Sequence, residues 1–447
     1  MADLSGRERF AHLFRRAAFG PSEAELNAAI SLSTNEDAAF NLAVDNLLNY
    51  PAVDGFTDRI VVTSSSDGDT LIKWWLERMV RTTRPLLEKM VFFWHDHFAT
   101  SLEKDGIDVG KMKAQNEFFR ANALGNFETI LNGISRDPAM MYWLDLVSNR
   151  ASSPNENYAR ELMELFSLGI GPPADPNYSE TDIKQATKAF TGYTVDANGN
   201  FFYNLSQHDS STKTVLGQTC ESGDQVNHIL VTYVKSGRSV SARFLASKLF
   251  SFFAYPAPPD DPVIVGFANT FVSSGLSVRA LVEAILKSPQ FSSNQAYRAI
   301  EKAPVEVAVG AMRTLGAERV PTNGVRSKLV EQGQRLFYPP DVGGWPSGRA
   351  WINASTTLSR SNMAATIINS MGNPDPNQAG GLPVASLLSG YTTAAAKVDR
   401  VLGLLVDGNV PSSTREALIA YANTMSTDEQ IRGLFNLVMA LPAYQLN

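Results

Sequence analysis

The chain has 447 residues, 44% hydrophobic and 10% aromatic, enough to bury a sizeable core and too many for a disordered polymer. Its 39 basic residues stand against 45 acidic ones, a net charge of −6, with no basic tract, which argues against a nucleic-acid partner. The single cysteine, Cys220, excludes an internal disulfide and any all-cysteine metal site.

From the N-terminus, "MADLSGRERFAHLFRRAAFGPSEAEL" is charged and amphipathic, without the apolar core of a secretory signal. No run of about 18 apolar residues occurs, so no membrane span is expected, and the cytoplasm is favoured over export. Helical spacing dominates the rest. The expectation is a mainly α fold forming one large domain over residues 1–447. It divides into an N-terminal helical half (1–190), a small β insertion (191–219) and a C-terminal helical half (220–447).

Residues 70–98, "TLIKWWLERMVRTTRPLLEKMVFFWHDHF", read as two helices broken at Pro85. The second ends on His95 and His97. On a continuous helix, residues two apart point about 200° away from each other, so the imidazoles could not grip one ion. On a frayed end they could converge, and Thr100 and Ser101 suggest an end nearby. Core or capping roles therefore compete with metal ligation. If the helix reaches Phe98, His97 should face inward and find a carboxylate such as Glu161 or Asp209.

In "SSPNENYARELMELFSLGIG" (152–171), Ser153, Pro154 and Glu156 stand in capping-box spacing, and Gly169 closes the helix. Arg160 and Glu164 are spaced to pair, and Glu161 flanks the apolar stripe, so it is the carboxylate expected to face the interior. "YSETDIKQATKAFTGY" (178–193) repeats the grammar, with Ser179 as cap and Asp182 three residues on.

Asn198-Gly199 between β-rich runs signals a hairpin, read as a two- or three-stranded insertion over 191–219. At its edge, His208, Asp209 and Lys213 suit metal ligation or acid/base work, or a polar loop with an Asx turn. Farther on, "FYPPDVGGWPSGRAWIN" (337–353) is a rigid, non-helical excursion, expected to be ordered over 337–349 and to pack against the Tyr158–Glu164 helix. It carries Tyr338, Asp341, Trp345, Arg349, Trp351 and Asn353. Aromatic plates with Asp, Arg and Asn suit sugar-like ligands, while the alternative is a loop whose aromatics plug gaps between helices. No phosphate-binding loop, GxSxG, GxGxxG, EF-hand or CxxC pair has a suitable context.

Taken in order, "HLFRRAAFGPSEAEL", "FFWHDHFATS", "NENYARELMELFSLGIG", "YSETDIKQATKAFTGY", "FFYNLSQHDSSTKTVLG", "SARFLASKLFSFF", "ALVEAILKSPQF" and "FYPPDVGGWPSGRAWINASTTLSRSNMA" resemble the DUF1800 family over nearly the whole chain. The resemblance implies a largely helical bacterial protein without an agreed activity. Members are often exported, a signal this chain lacks, and often encoded beside DUF1501 proteins, which look like alkaline phosphatases or sulfatases. The family's polar signature falls on His95, His97, Asn157, Arg160, Glu161, Glu164, His208, Asp209, Lys213, Asp341, Trp345 and Asn353.

Two functional expectations follow. In the first, an enzyme hydrolyses or modifies a carbohydrate-like substrate, with a divalent metal on His95 and His97. Glu161, His208, Asp209 and Arg160 are then the catalytic set, and Tyr158, Lys213, Asp341, Trp345, Arg349 and Asn353 bind substrate. In the second, the chain is a non-catalytic scaffold or assembly partner of a DUF1501-type protein. Distance separates them. If His95, His97 and His208 lie apart, each satisfied by backbone, the enzymatic expectation loses its base.

Overall fold

Caps and prolines set the helix boundaries. Asp67 accepts the N–H of Thr70 and opens the Gly68–Arg81 helix, and Pro85, at the first helical position, opens Pro85–His97. Ser179 and Asp182 form the expected capping box of Glu180–Ala189. The computed structural model describes residues 3–317, 320–371 and 381–447. Among them the fold is mainly α, more than half helical, with 21 α-helices and only two-stranded sheets.

The β-structure departs from the expected single insertion. Tyr193–Val195 pairs antiparallel with Phe201–Tyr203, and Lys213–Val215 pairs separately with Gln218–Cys220. A third hairpin, Val234–Lys235 with Arg238–Ser239, lies outside residues 191–219. Asn198-Gly199 does sit in the first turn, where Gly199 has φ +81° and the Asp196 carboxylate accepts the N–H groups of Asn198 and Asn200. The first two hairpins stay apart because a 3₁₀ turn at Leu205–Gln207 leads the chain away after Tyr203.

The hydrophobic core is continuous from Phe10 to Tyr444, and the Pro85–His97 helix is its axle. Every residue from Pro85 to His95 is buried, which marks a helix surrounded on all sides. Its two interior charges are therefore matched. Glu88 accepts Arg120 through both carboxylate oxygens, at 2.6 and 2.9 Å, and Trp75 Nε1 at 2.9 Å; Lys89 pairs with Glu306. Deleting one member of such a buried pair typically costs about 3–5 kcal/mol. No described helix is long and apolar enough to cross a membrane.

Two local expectations are corrected. The helix expected from Pro154 starts at Asn157, because Arg150 and Ser153 pair in a bridge and Asn149 and Asn155 take the next N–H groups. Glu156 makes no cap, and Arg160 pairs with Glu156 and Glu180 instead of Glu164. From Leu162 to Ser167 the helix widens to π geometry, where the Ser167 hydroxyl donates to the Leu162 carbonyl five residues back. Gly169, at φ +70°, then ends it.

The second correction concerns the 337–349 segment. It is held in place, but against the Gly68–Arg81 and Pro85–His97 helices, and among the described residues its hydrogen bonds and ring contacts do not run to the Tyr158–Glu164 helix. Phe337 and Trp345 find their apolar slot beside Trp75 and His95, with ring centroids 4.9–5.4 Å apart. The Phe337 carbonyl accepts the N–H of Leu102 at 2.9 Å.

Candidate functional site

The Pro85–His97 helix is unbroken to its end, so its two histidines diverge. His95 is 1% exposed, among Trp75, Phe337 and Trp345, and its Nε2 accepts the Phe337 N–H at 3.1 Å. That bond fixes the proton of the neutral ring on Nδ1. His97 is only partly buried, stacks on Phe93, and bonds the Phe166 carbonyl at 3.0 Å through Nε2, which must therefore carry its hydrogen. The expected carboxylate partner, Glu161 or Asp209, is replaced by this carbonyl. Burial pushes both imidazoles down to about 3, so both are neutral near pH 7. Among the described residues, no group of three or more His, Cys, Asp or Glu side chains is placed to hold a metal ion.

His208 belongs to a different knot. Its Nδ1 bonds the Thr191 carbonyl at 2.8 Å, and its Nε2 lies 3.3 Å from Lys213 Nζ. Lys213 is fully buried, its ammonium held by the carbonyls of Asp209 and Glu221. The Asp209 carboxylate accepts the Ser211 hydroxyl and, at 2.8 Å, the Ser211 N–H, which keep its pKa low. This is a hairpin fastening. No hydrogen bond or ion pair joins it to His95 or His97 among the described residues.

The remaining expected residues are scattered. Tyr158 is buried, its hydroxyl 2.7 Å from Ser135 Oγ. Glu161 is partly buried and has no ion-pair partner among the described residues; burial, reinforced by Glu164, raises its pKa. Trp345 is 6% exposed and Trp351 is buried as well, so the two rings plug gaps and present no face to a ligand. Asp341 is tied into an Asx turn on the Gly343 N–H, and Asn353 caps the Ala354–Ser370 helix. Arg349 is 97% exposed and lies 3.8 Å from Glu301.

Between the two histidines lies a residue the sequence reading passed over. Asp96 is partly buried and accepts the Trp345 N–H at 2.8 Å, while Gly344 presses against it. Gly344 has φ +85°, and a Cβ there would come within 2.4 Å of Asp96 Oδ1, so only glycine fits. Burial pushes the Asp96 carboxyl up to about 6, against the opposing pull of the Trp345 N–H and of Lys248. A sequence signal existed. A carboxylate in the last turn opposes the helix dipole, which favours cations at that end.

Lys248 belongs to the Val240–Phe253 helix, whose first turn borders a cavity. This cavity has a volume of about 340 Å³ and lies between the Leu168–Asn177 connection, the start of that helix and Pro258–Asp260. Phe244, whose ring centroid is 6.2 Å from that of His97, forms part of the wall beside Leu168, Val240 and the prolines. The polar wall is Asn177, Arg238, Arg243 and Asp260. Asp260 accepts Arg243 at 2.9 Å, and Asp175 accepts Arg238 at 2.8 Å, so the groups are held in fixed positions. The Asn177 amide donates to the Leu168 and Gly169 carbonyls at 3.0 Å, closing the connection.

Comparison with known proteins agrees with the motif order. The family described as "Protein of unknown function (DUF1800)" matches residues 12–446, and the chain belongs to it. No curated protein and no solved structure matches the chain.

Proposed function

We propose that this DUF1800 protein binds a carbohydrate-like ligand, about one sugar ring in size, in the 340 Å³ cavity beside Phe244. The observation that carries the reading is the lining. One aromatic ring and apolar neighbours suit the C–H face of a sugar, and the anchored Arg238, Arg243 and Asp260 suit its hydroxyls. The volume falls in the range of about 300–1,000 Å³ usual for ligand pockets. No step is routed through a metal ion, since His95 spends its lone pair on the Phe337 N–H and, among the described residues, no group of three ligating side chains surrounds either histidine.

A second reading, a scaffold that assembles with a DUF1501-type protein, is favoured by the backbone bonds of His95, His97 and His208. Saturation-transfer NMR with neutral and sulfated mono- and disaccharides separates the two. The ligand-binding reading expects at least one of these sugars to give a signal that weakens in Arg243→Ala. If no sugar in either set gives a signal dependent on Arg243, the scaffold reading stands instead.

A further inference from the structure

The N-terminal motif "HLFRRAAFGPSEAEL" takes no part in the site described above, yet it brings charge into the middle of the protein. Arg15 and Arg16 are 7% and 1% exposed, and they meet Lys89 and Lys302, at 1% and 3%. Two buried carboxylates, Glu306 and Asp407, answer these four cations. Their bonds are already committed. Glu306 takes Lys89 and the Ala303 N–H at 2.8 Å, while Asp407 takes Arg15 Nη1 at 2.5 Å and the Tyr297 hydroxyl at 3.1 Å. Arg16 is satisfied by the carbonyls of Phe252 and Phe253 at a helix end.

That leaves Arg15 and Lys302. Arg15 Nε and Nη2 are buried with no partner. Lys302 has no carboxylate in ion-pair range among the described residues, and its Nζ lies over the Tyr444 ring, 4.0 Å from the centroid. Burial, reinforced by Arg15, pushes the Lys302 ammonium well below its usual range, a shift that a neighbouring anion opposes, and the Arg15 guanidinium cannot shed its charge at all. Both side chains line one small cavity of about 20 Å³, together with Asp407, Tyr444 and Thr314. About 10–15 Å³ admits one water-sized occupant, so the space suits a monatomic ion and is too small for sulfate or a sugar.

We propose that this cavity is a binding site for a small monovalent anion of chloride size, held between Arg15 and Lys302. The anion accepts the unused Arg15 N–H groups and the Lys302 ammonium, and offsets the excess of buried positive charge. It joins the Gly6–Ala18 helix to the segment entering Pro304–Thr314 and to the turn after Leu405, where Asp407 sits. The site is separate from the cavity beside Phe244, so it stands or falls independently of the proposed function.

The test uses the full chain at pH 7 in chloride, bromide and gluconate at matched ionic strength. Thermal unfolding should show a saturable rise of about 2 °C or more in chloride and bromide over gluconate. Lys302→Met should abolish that difference. A crystal grown in bromide should show an anomalous peak between Arg15 and Lys302, and this measurement stands even where Lys302→Met fails to fold. Equal midpoints in the three salts, an anion effect that survives in Lys302→Met, or a bromide crystal without a peak in the cavity each overturns the proposal.

Discussion

His95 and His97 lie two positions apart and do different work. His95→Ala leaves the Phe337 N–H without an acceptor and opens a gap among three aromatic rings, an expected loss of about 3 kcal/mol. His97→Ala removes one bond and the ring contacts with Phe93 and Phe98 from a site that is only partly buried, and should cost less, about 1–2 kcal/mol. This reverses the order expected from the apolar stripe, which put His97 inward. The stripe stopped one turn early, since position 95 meets the 337–349 segment, whose approach no local pattern announces. Urea unfolding of both single variants checks the order, and a larger loss for His97→Ala would contradict it.

Asp96 gives a pH prediction. Its carboxyl titrates at about 6 when folded against an ordinary 3.8, so the folded chain holds the proton more tightly than the unfolded chain does. The stability it contributes is full below about pH 4 and falls as pH rises toward 6. His95 and His97 act in the opposite sense, because their folded values near 3 lie below 6.5 and stability is lost as pH falls through that window. Asp96→Asn keeps an acceptor for the Trp345 N–H and removes only the first effect. The variant should therefore gain on the wild type steadily between pH 4 and 6 in urea midpoints. A constant offset across that window would remove Asp96 as the titrating group.

At the scale of elements, helix ends were the most legible feature. Pro85, the Ser179–Asp182 box and Gly169 act through their own backbone and nearest neighbours, so their effects can be read locally. Ser153 to Glu156 carried the same spacing and failed, because Asn149 and Asn155 claimed the N–H groups that a cap would have used. The order of the 337–349 segment was readable from its prolines, but its docking partner was not. That partner depends on Gly344 fitting under Asp96, two residues far apart in sequence. Gly344→Ala should cost about 2–3 kcal/mol through the positive φ and the clash. It should also expose the segment to limited proteolysis. A variant as resistant and as stable as the wild type would show that the segment is anchored elsewhere.

Across the whole molecule, the mainly α architecture followed from periodicity, whereas the grouping of the motifs did not. His208, Asp209 and Lys213 were chemically plausible and turned out to fasten a hairpin, since a buried lysine takes whatever carbonyls surround it. Trp345 and Trp351 supplied apolar area to the core instead of a ligand face. The cavity beside Phe244 draws on three distant segments, of which the end of "NENYARELMELFSLGIG" and the start of "SARFLASKLFSFF" had stood out as motifs, while Pro258–Asp260 had not. A single sequence carries no record of which distant segments meet.

Calorimetric titration tests most directly whether this cavity holds the ligand. A sugar that gives an NMR signal with the wild type is titrated into wild type, Phe244→Leu and Phe202→Leu, the last an exposed ring outside the cavity. Losing the aromatic face should weaken binding about tenfold in Phe244→Leu, equivalent to about 1.4 kcal/mol, and leave Phe202→Leu unchanged. Equal affinity in all three proteins would contradict the claim.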